Sequence, residues 1–338
     1  MSDEPKVSEE HPELHHYTDW NGLEKIFTSR TLWATHFSQL NDYTEITHLE
    51  EFLADAVSAK LEEYVNFRYL TDCDFRNKIS RMGNIREACK HAAKNSVASL
   101  YDVTFRGRTI DEDKKFGPFV EPFIASFCSH GQDSSYESNN GLLSQWNRYG
   151  RDEGYAIIFD TESLEERLFR EKKIYGYHYL GFSDVIYNDK KLNFVERFSK
   201  EIEEVFNLTH DFIFDIENVS PIQAFEPLVH AATRFKHQAF KEEREVRIVS
   251  CPATHKFEEY LKTNNPDLYE ARDDKFKTIY SKPKEHVCLY DSDISQPLPI
   301  KRIIVGPNQH QQQLHNKVKQ LVEEHIEVVC SETPYRAN

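Results

Sequence analysis

The chain has 338 residues, enough for one elaborated domain or two small ones, and we expect a single domain. Its 57 acidic residues outnumber 42 basic ones, giving a formal charge of -15, which argues against a broad basic surface that tracks a nucleic-acid backbone. A hydrophobic content of 39%, with 23 Phe and 17 Tyr, is typical of a folded protein and argues against a disordered one.

The predicted compartment is the cytoplasm. Six widely spaced cysteines without a C-x-x-C pair favour reduced, packed thiols and do not support a zinc ribbon. Residues 1–10 are polar and acidic, unlike a secretory signal. No stretch approaches the roughly 20 apolar residues that cross a bilayer, so we expect no membrane partner.

The first third of the chain predicts a tail followed by mixed elements. Residues 1–12 are expected to be a disordered tail, and 13–338 the single domain. A strand, a helix and a strand are predicted over Leu14–Thr18, Trp20–Ser29 and Thr31–Thr35. Apolar residues then recur every three or four positions, which predicts a first helical insertion at about 45–105. Asn41 and Asp42 suit a turn that caps this helix near Thr44.

The remaining elements continue the mixture. Strands are predicted over Phe119–Cys128, Gly154–Asp160, Tyr177–Tyr187, Glu243–Cys251, Ile300–Val305 and Ile326–Cys330, and helices over Leu142–Tyr149, Leu164–Lys172 and Gln311–Glu324. A second helical insertion is predicted at about 192–240, broken near Pro221. Residues 253–285 are predicted to be an exposed excursion. The predicted class is therefore α+β.

His16 and Thr18 form the first candidate site. Alternate side chains of a strand share a face, so Leu14, His16 and Thr18 lie together, and His15 and Tyr17 lie opposite. An imidazole and a hydroxyl on one face can bind a ribose hydroxyl and a carboxamide. The alternative is that a histidine only satisfies a backbone partner.

Glu243, Glu245 and Arg247 form the second candidate site, on one face of their predicted strand. Two carboxylates about 7 Å apart repel, which raises the pKa of at least one unless a cation lies between them. Arg247 is a candidate for that cation. The alternative is a solvated edge strand whose charges discourage aggregation.

The segment around Trp146, Arg148 and Tyr149 is the third candidate. Trp146 and Tyr149 are three residues apart on one helical face, where they could line a pocket for a flat-ringed ligand or pack against the sheet. Packing is favoured for Trp146. Arg148 suits a pyrophosphate, because a guanidinium can match two phosphate oxygens, or is an ordinary surface charge. The sequence contains no G-x-G-x-x-G, P-loop, H-E-x-x-H or G-x-S-x-G motif.

These segments together resemble the bacterial domain-of-unknown-function 2971 family over nearly the whole chain. The similarity starts at Leu14–Thr18 and includes the following segments, up to the final strand that ends at Ser331: Leu32–Thr35, Leu40–Asp42 with Glu45, Gln145–Trp146 with Tyr149, Tyr155–Phe159, Phe240–Arg247 and Ile303–Pro307. Val246 stands where a Trp is expected.

That family is in turn similar to the ADP-ribosyltransferase superfamily. The resemblance implies a split β-sheet core with helical insertions and NAD as the substrate. It implies that His16 and Thr18 hold the nicotinamide ribose and carboxamide, that Glu245 is the catalytic carboxylate, and that Glu243 assists it. Further residues expected around NAD are Tyr17, Trp33, Trp146, Arg148, Tyr149 and Arg247. For the superfamily's middle aromatic, Tyr149, Tyr155 and Trp33 compete.

The implied function is an NAD-consuming ADP-ribosyltransferase or glycohydrolase, as a toxin or a defence effector against phage, with an unknown macromolecular acceptor. One alternative is a catalytically inactive module that senses a nucleotide or binds a protein. Another is a protein that modifies or binds nucleic acid through the basic residues of 75–108, for which a solvated helical face is the preferred explanation.

Overall fold

The computed structural model describes residues 6–39, 44–79, 83–106, 121–130, 135–149, 153–188, 191–214, 225–252 and 286–334, with residues 259, 262, 263, 266, 275 and 276 between the last two ranges. Strands and helices are mixed along these ranges, and the predicted α+β class is confirmed. Across this part of the chain, no helix is both long and apolar enough to cross a bilayer.

The strands are β1 (Glu13–Asp19), β2 (Leu32–His36), β3 (Phe123–Cys128), β4 (Gly154–Asp160), β5 (Tyr175–Asp184), β6 (Ile186–Asn188), β7 (Phe235–His237), β8 (Glu245–Pro252), β9 (Lys275–Phe276), β10 (His286–Leu289), β11 (Ile300–Val305) and β12 (Glu327–Cys330). Most of them form one mixed sheet in the order β12-β11-β4-β1-β3-β8-β5-β9, and β2 joins it through β3 and pairs with β10. β6 and β7 form a separate parallel pair.

The large sheet is divided between β1 and β3. β1 pairs with β4 along its full length, and β3 pairs with β8 along its full length. Over the described lengths of β1 and β3, however, the register contains the single pair His15 and Cys128. β2 instead pairs with the start of β3, at Phe123 and Ile124. The two halves of the sheet therefore meet at one point and diverge beyond it.

The helices are α1 (Val7–Glu10), α2 (Trp20–Ser29), α3 (Thr44–Thr71), α4 (Cys73–Ile79), α5 (Ile85–Tyr101), α6 (Ser135–Asn140), α7 (Leu143–Tyr149), α8 (Thr161–Ile174), α9 (Lys191–Arg197), α10 (Ser199–Ile213), α11 (Phe225–Arg234) and α12 (Gln311–Leu321). Two groups, α3 to α5 and α9 to α11, occupy the ranges of the two predicted insertions. Their apolar side chains share one buried cluster with Val249 and Cys251 of β8. Packing against β8 thus anchors both helical groups to the sheet.

A second cluster covers another part of the sheet. It contains Leu23 of α2, Leu164 of α8 and Val318 of α12, packed with Phe127 and Ile157 of the strands. Burying such side chains contributes about 1.5–3 kcal/mol each. This cluster holds together strands from both halves of the divided sheet.

Several predictions about the ends and connections need comment. Within the predicted tail 1–12, the described residues include α1, where the Val7 backbone N–H donates to Glu165 Oε1 at 3.1 Å. Within the described part of the tail, the residues Val7–Glu10 therefore pack on α8. The predicted cap at Asn41 and Asp42 and the break near Pro221 lie outside the described residues. Of the predicted excursion 253–285, the short strand β9 pairs with β5.

Candidate functional site

A cavity of about 500 Å³ opens where β1 and β3 diverge. Its volume lies in the range of pockets that hold one small-molecule ligand. The lining includes every residue predicted around NAD except Trp146, namely His16, Tyr17, Thr18, Trp33, Arg148, Tyr149, Glu243, Glu245 and Arg247. The fold therefore brings the first strand and the late glutamates to one cavity.

His16 stands at the divergence itself. Its Nδ1 lies 3.0 Å from the carbonyl oxygen of Ser126, in the stretch of β3 that β1 does not pair with. A carbonyl only accepts, so Nδ1 donates the proton and Nε2 is left as an acceptor. Burial lowers the pKa of His16 below 6.5, in opposition to this hydrogen bond. His16 is thus a neutral acceptor at pH 7, not a cation.

Thr18 is positioned by the start of α2. Asp19 caps this helix by accepting a hydrogen bond of 2.8 Å from the Gly22 backbone N–H. A Cβ on Gly22 would lie only 1.9 Å from Thr18 Oγ1. The absence of a side chain at Gly22 therefore leaves room for the Thr18 hydroxyl beside the cavity.

Tyr17 lines the cavity from a fixed position. Its hydroxyl accepts from the Leu142 backbone N–H at 2.8 Å and lies at hydrogen-bond distance, 2.8 Å, from His130 Nε2. Burial raises the pKa of Tyr17 well above 10. The ring also meets Trp146 edge-on, with 4.9 Å between centroids. Tyr17 connects β1 to the start of α7.

Glu245 is buried beside two cations. Arg247 Nε and Nη2 donate to its carboxylate at 2.8 and 3.1 Å, and Lys236 Nζ donates at 2.7 Å. Burial would raise the pKa of Glu245, but Arg247 and Lys236 outweigh it and bring the pKa down to about 2. The carboxylate is therefore ionised at pH 7.

Glu243 is the second carboxylate of the cavity. Lys236 Nζ donates to it at 2.8 Å and Arg148 Nη1 at 3.0 Å. The prediction that Glu243 lies on the strand is wrong. The 3-10 helix Gln238–Glu243 ends at this residue, and the next residue, Arg244, has a φ of 42°. The strand begins at Glu245, so the left-handed residue between them, and not strand alternation, aims both carboxylates into the cavity.

The charges of this cluster differ from the predicted pair of repelling carboxylates. Three cations, Arg148, Lys236 and Arg247, surround two anions. A cation does lie between the two carboxylates, which is the condition under which no rise in pKa is expected. This cation is Lys236, which pairs with both carboxylates, whereas the candidate Arg247 pairs with Glu245. With all five groups ionised, the cluster carries a net charge of +1, in a chain of formal charge -15.

Cys128 also lines the cavity, close to these charges. Burial, followed by the negative charges of Glu243 and Glu245, raises the pKa of its thiol well above 9. A protonated thiol is a poor nucleophile. Cys128 is therefore a packing residue of this site at neutral pH.

The aromatic candidates separate into two groups. Tyr149 is 38% exposed and Trp33 is 42% exposed, and both line the cavity. Trp33 stacks on His286 at 3.9 Å between ring centroids. Trp146 is buried, and its indole N–H donates to the Asn140 carbonyl at 2.9 Å. The prediction of Trp146 as a ligand residue is therefore wrong, and packing is its role.

Tyr155 is fully buried in the sheet core and does not appear in the cavity lining. Of the three candidates for a middle aromatic, Tyr149 and Trp33 thus remain. Tyr149 lies beside Arg148, within the electrostatic reach of Glu243.

Residues 145–248 match the family model described as Protein of unknown function (DUF2971). The matched segment runs from Gln145 in α7 to Ile248 in β8 and contains both cavity glutamates and their three cations. This match supports the DUF2971 resemblance for the later half of the site, and β1 lies outside it. Searches among curated proteins and among solved structures gave no match.

Lys236 also lines the cavity, and its place there was not predicted from the sequence. It follows Arg234 at the end of α11, where a cation is ordinary because it complements the helix dipole. The one sequence signal was indirect: two nearby carboxylates at Glu243 and Glu245 require positive charge around them. That requirement does not say which of several lysines and arginines supplies it.

Two further sets of charged residues lie apart from the cavity. Glu10, His11 and Asp184 place ligand atoms within 4.8 Å of one another, and His11 Nε2 lies 3.0 Å from Asp184 Oδ1.

In the predicted basic segment 75–108, Arg76 donates to the carbonyls of Tyr69 and Leu70 at the end of α3. Arg81 and Arg108 lie outside the described residues. Arg76 therefore supports a helix end.

Proposed function

We propose that the chain cleaves NAD between nicotinamide and ribose and passes the ADP-ribose to an acceptor or to water. The observation that carries this proposal is the position of His16 and Glu245, a neutral imidazole and an ionised carboxylate, around one cavity at the split of the sheet. The resemblance to the ADP-ribosyltransferase superfamily, with its split sheet and NAD substrate, agrees with this geometry.

The chemistry of the reaction explains the need for Glu245. Loss of nicotinamide develops positive charge on the ribose, as in other glycosyl transfers with oxocarbenium-like transition states. A carboxylate beside the 2′-hydroxyl interacts more strongly as that charge appears, which lowers the barrier. Because its counter-ions keep it charged, Glu245 needs no proton transfer before the reaction.

The other residues have roles that follow from their chemistry. His16 Nε2 would accept from a ribose hydroxyl, and Thr18 would hydrogen-bond the carboxamide. Arg148 would bind the pyrophosphate, since a guanidinium can bond two phosphate oxygens. Tyr149 or Trp33 would pack on the nicotinamide ring. A toxin or a phage-defence effector is the biological setting that suits an enzyme that consumes NAD.

The test is release of nicotinamide from NAD by the purified chain, compared with Glu245→Gln. We expect the variant to lose roughly 10²–10³-fold in turnover, the effect of removing one electrostatic contributor to a transition state. Glu242→Gln is the matched control, because Glu242 is exposed in the same turn and its variant should keep wild-type turnover. Circular dichroism checks that each variant is folded.

A second candidate function is nucleotide binding without catalysis. The observation that favours it is the full set of ion pairs on Glu245, whose two oxygens already accept three hydrogen bonds. In this case NAD titration gives saturable binding and no nicotinamide appears. Wild-type turnover that Glu245→Gln does not reduce would contradict the catalytic proposal.

A further inference from the structure

Lys236 fills the space between the two cavity carboxylates. Its Nζ lies 2.8 Å from Glu243 Oε2 and 2.7 Å from Glu245 Oε2. A single ammonium therefore bridges the acid pair. An ammonium has three donors, and this arrangement uses two of them on carboxylates.

The position of Lys236 is fixed by its surroundings. Its side chain is 8% exposed, and Nζ also lies 4.9 Å from the centre of the Phe240 ring. Its backbone belongs to β7, where it stands opposite Tyr187 of β6. The Tyr187 hydroxyl accepts from the Glu245 backbone N–H at 2.8 Å. The same small strand pair thus holds both the lysine and the glutamate.

This arrangement bears on the acceptor of the proposed reaction. A guanidinium or ammonium acceptor would be recognised by carboxylates through charge-assisted hydrogen bonds. Lys236 already occupies that position between Glu243 and Glu245, and Arg148 and Arg247 add like charge around it. Placing like charges against each other disfavours binding, so these cations disfavour a cationic acceptor.

We infer that the acceptor is water and not an amine or guanidinium group, so that the cavity hydrolyses NAD. This inference rests on the proposed function and narrows it. Lys236 acts as a specificity-determining residue that excludes cationic acceptors from the acid pair. Water is uncharged and small enough to approach the ribose without displacing the lysine.

The bond between the ribose C1′ and the nicotinamide nitrogen breaks, and its electron pair stays on nicotinamide, which leaves as a neutral molecule. A lone pair of the water oxygen forms the new bond to C1′. The extra water proton passes to Glu243 and from there to solvent. The products are ADP-ribose, nicotinamide and one proton, and no oxidant or reductant is needed.

The experiment follows NAD labelled in both halves with the full-length wild-type chain, with and without agmatine as a guanidinium probe. We expect free ADP-ribose and nicotinamide in equal amounts and no ADP-ribosyl agmatine. Formation of the agmatine conjugate, or ADP-ribose bound to the chain in place of free ADP-ribose, would overturn the inference while nicotinamide release upheld the proposed function. No nicotinamide at all would instead refute the proposed function and, with it, hydrolysis.

A variant tests the role of Lys236 directly. Lys236→Met keeps the length of the side chain and removes the charge, so it should form ADP-ribosyl agmatine at least roughly tenfold faster than wild type, because repulsion of the cation is relieved. Lys241→Met is the matched control, since Lys241 is exposed in the neighbouring turn and should leave the products unchanged. A folded Lys236→Met chain that still excludes agmatine would contradict the assigned role. The wild-type products decide the acceptor even where this variant does not fold.

Discussion

Glu245 is the more deeply buried of the two cavity carboxylates and has two charged partners. A buried carboxylate is stable only when its charge is compensated, and Arg247 and Lys236 provide that compensation. Removing one partner of such a pair commonly costs about 3–5 kcal/mol. The same partners hold the pKa of Glu245 at about 2. Stability and a permanent charge at the site thus have one physical origin.

His15, next to His16, has the opposite electrostatic situation. Its Nε2 lies 3.3 Å from the Ser138 carbonyl, and its Nδ1 is buried without a hydrogen-bond partner among the described residues. Burial lowers the pKa of His15 from 6.5 to about 4. The ring also meets His130 edge-on, with 4.2 Å between centroids. His15 is therefore a neutral ring in a site that disfavours its protonation.

This burial predicts a loss of stability in weak acid. Below pH 6.5 the unfolded chain binds a proton at His15, whereas the folded chain does so only near pH 4, so the free energy of unfolding falls as the pH falls. The His15 contribution reaches about 3 kcal/mol at pH 4. Urea unfolding at several pH values measures it. His15→Gln should flatten the dependence of the free energy of unfolding on pH. His91 is exposed, so His91→Gln should leave that dependence unchanged. Equal slopes of unfolding free energy against pH for the two variants would contradict the prediction.

The cavity residues differ in whether their positions can be predicted from the sequence. Alternation along one strand identified His16 and Thr18, because it depends only on local backbone geometry. Lys236 could not be assigned in this way, since its role comes from a contact between two segments that face each other only in the fold.

The decisive element is the junction of β1 and β3. Strand positions were predictable from apolar, β-prone runs, but the single register pair between these strands was not, because pairing partners are set by the whole sheet. His16 donates to the Ser126 carbonyl where a strand partner is missing, so the candidate site residue also satisfies the backbone.

The turn before α7 affects where this helix places its side chains. Trp146 and Tyr149 were predicted on one face, yet Trp146 packs in the core while Tyr149 reaches the cavity. Gly141, with a φ of 76°, lets the chain enter this helix. A Cβ at Gly141 would lie 2.3 Å from the Trp146 ring. The position of the helix that carries Arg148 and Tyr149 therefore depends on a glycine.

Two glycines allow this effect to be separated from backbone strain. Gly141→Ala and Gly83→Ala both place a side chain at nearly the same positive φ, but nothing lies within 4 Å of a Cβ at Gly83. Gly83→Ala should cost about 1–2 kcal/mol for the left-handed backbone. Gly141→Ala should cost about 1–3 kcal/mol more, because it overpacks against Trp146. Equal losses in thermal or urea unfolding would refute this account of the turn.

At the scale of the whole molecule, the two helical groups join one buried cluster and pack on β8. They are separated in sequence by β3, β4 and β5, so their association could not be predicted from periodicity, although each helical range could. This packing supports the strand that carries Glu245 and Arg247 from the side of the cluster. Substrate-binding residues gain precision when they stand on such rigid elements.

The charge of the molecule also has a local exception at the cavity. A chain of formal charge -15 repels anions on average, but the five charged groups at Glu243 and Glu245 sum to +1. Low-dielectric walls strengthen such a local field. Asp19 also lines the cavity and brings the sum of its charged lining to zero, so the positive excess is confined to the cluster around the two glutamates.

We propose that NAD binds where β1 and β3 diverge, with its nicotinamide ribose between His16 and Glu245. A crystal structure of the protein with a non-cleavable NAD analogue would locate the ribose. We expect the ribose 2′-hydroxyl at hydrogen-bond distance, about 3 Å, from Glu245 and the nicotinamide ring within reach of Tyr149 or Trp33. An analogue bound elsewhere on the chain, or a cavity that stays empty at saturating analogue, would contradict it.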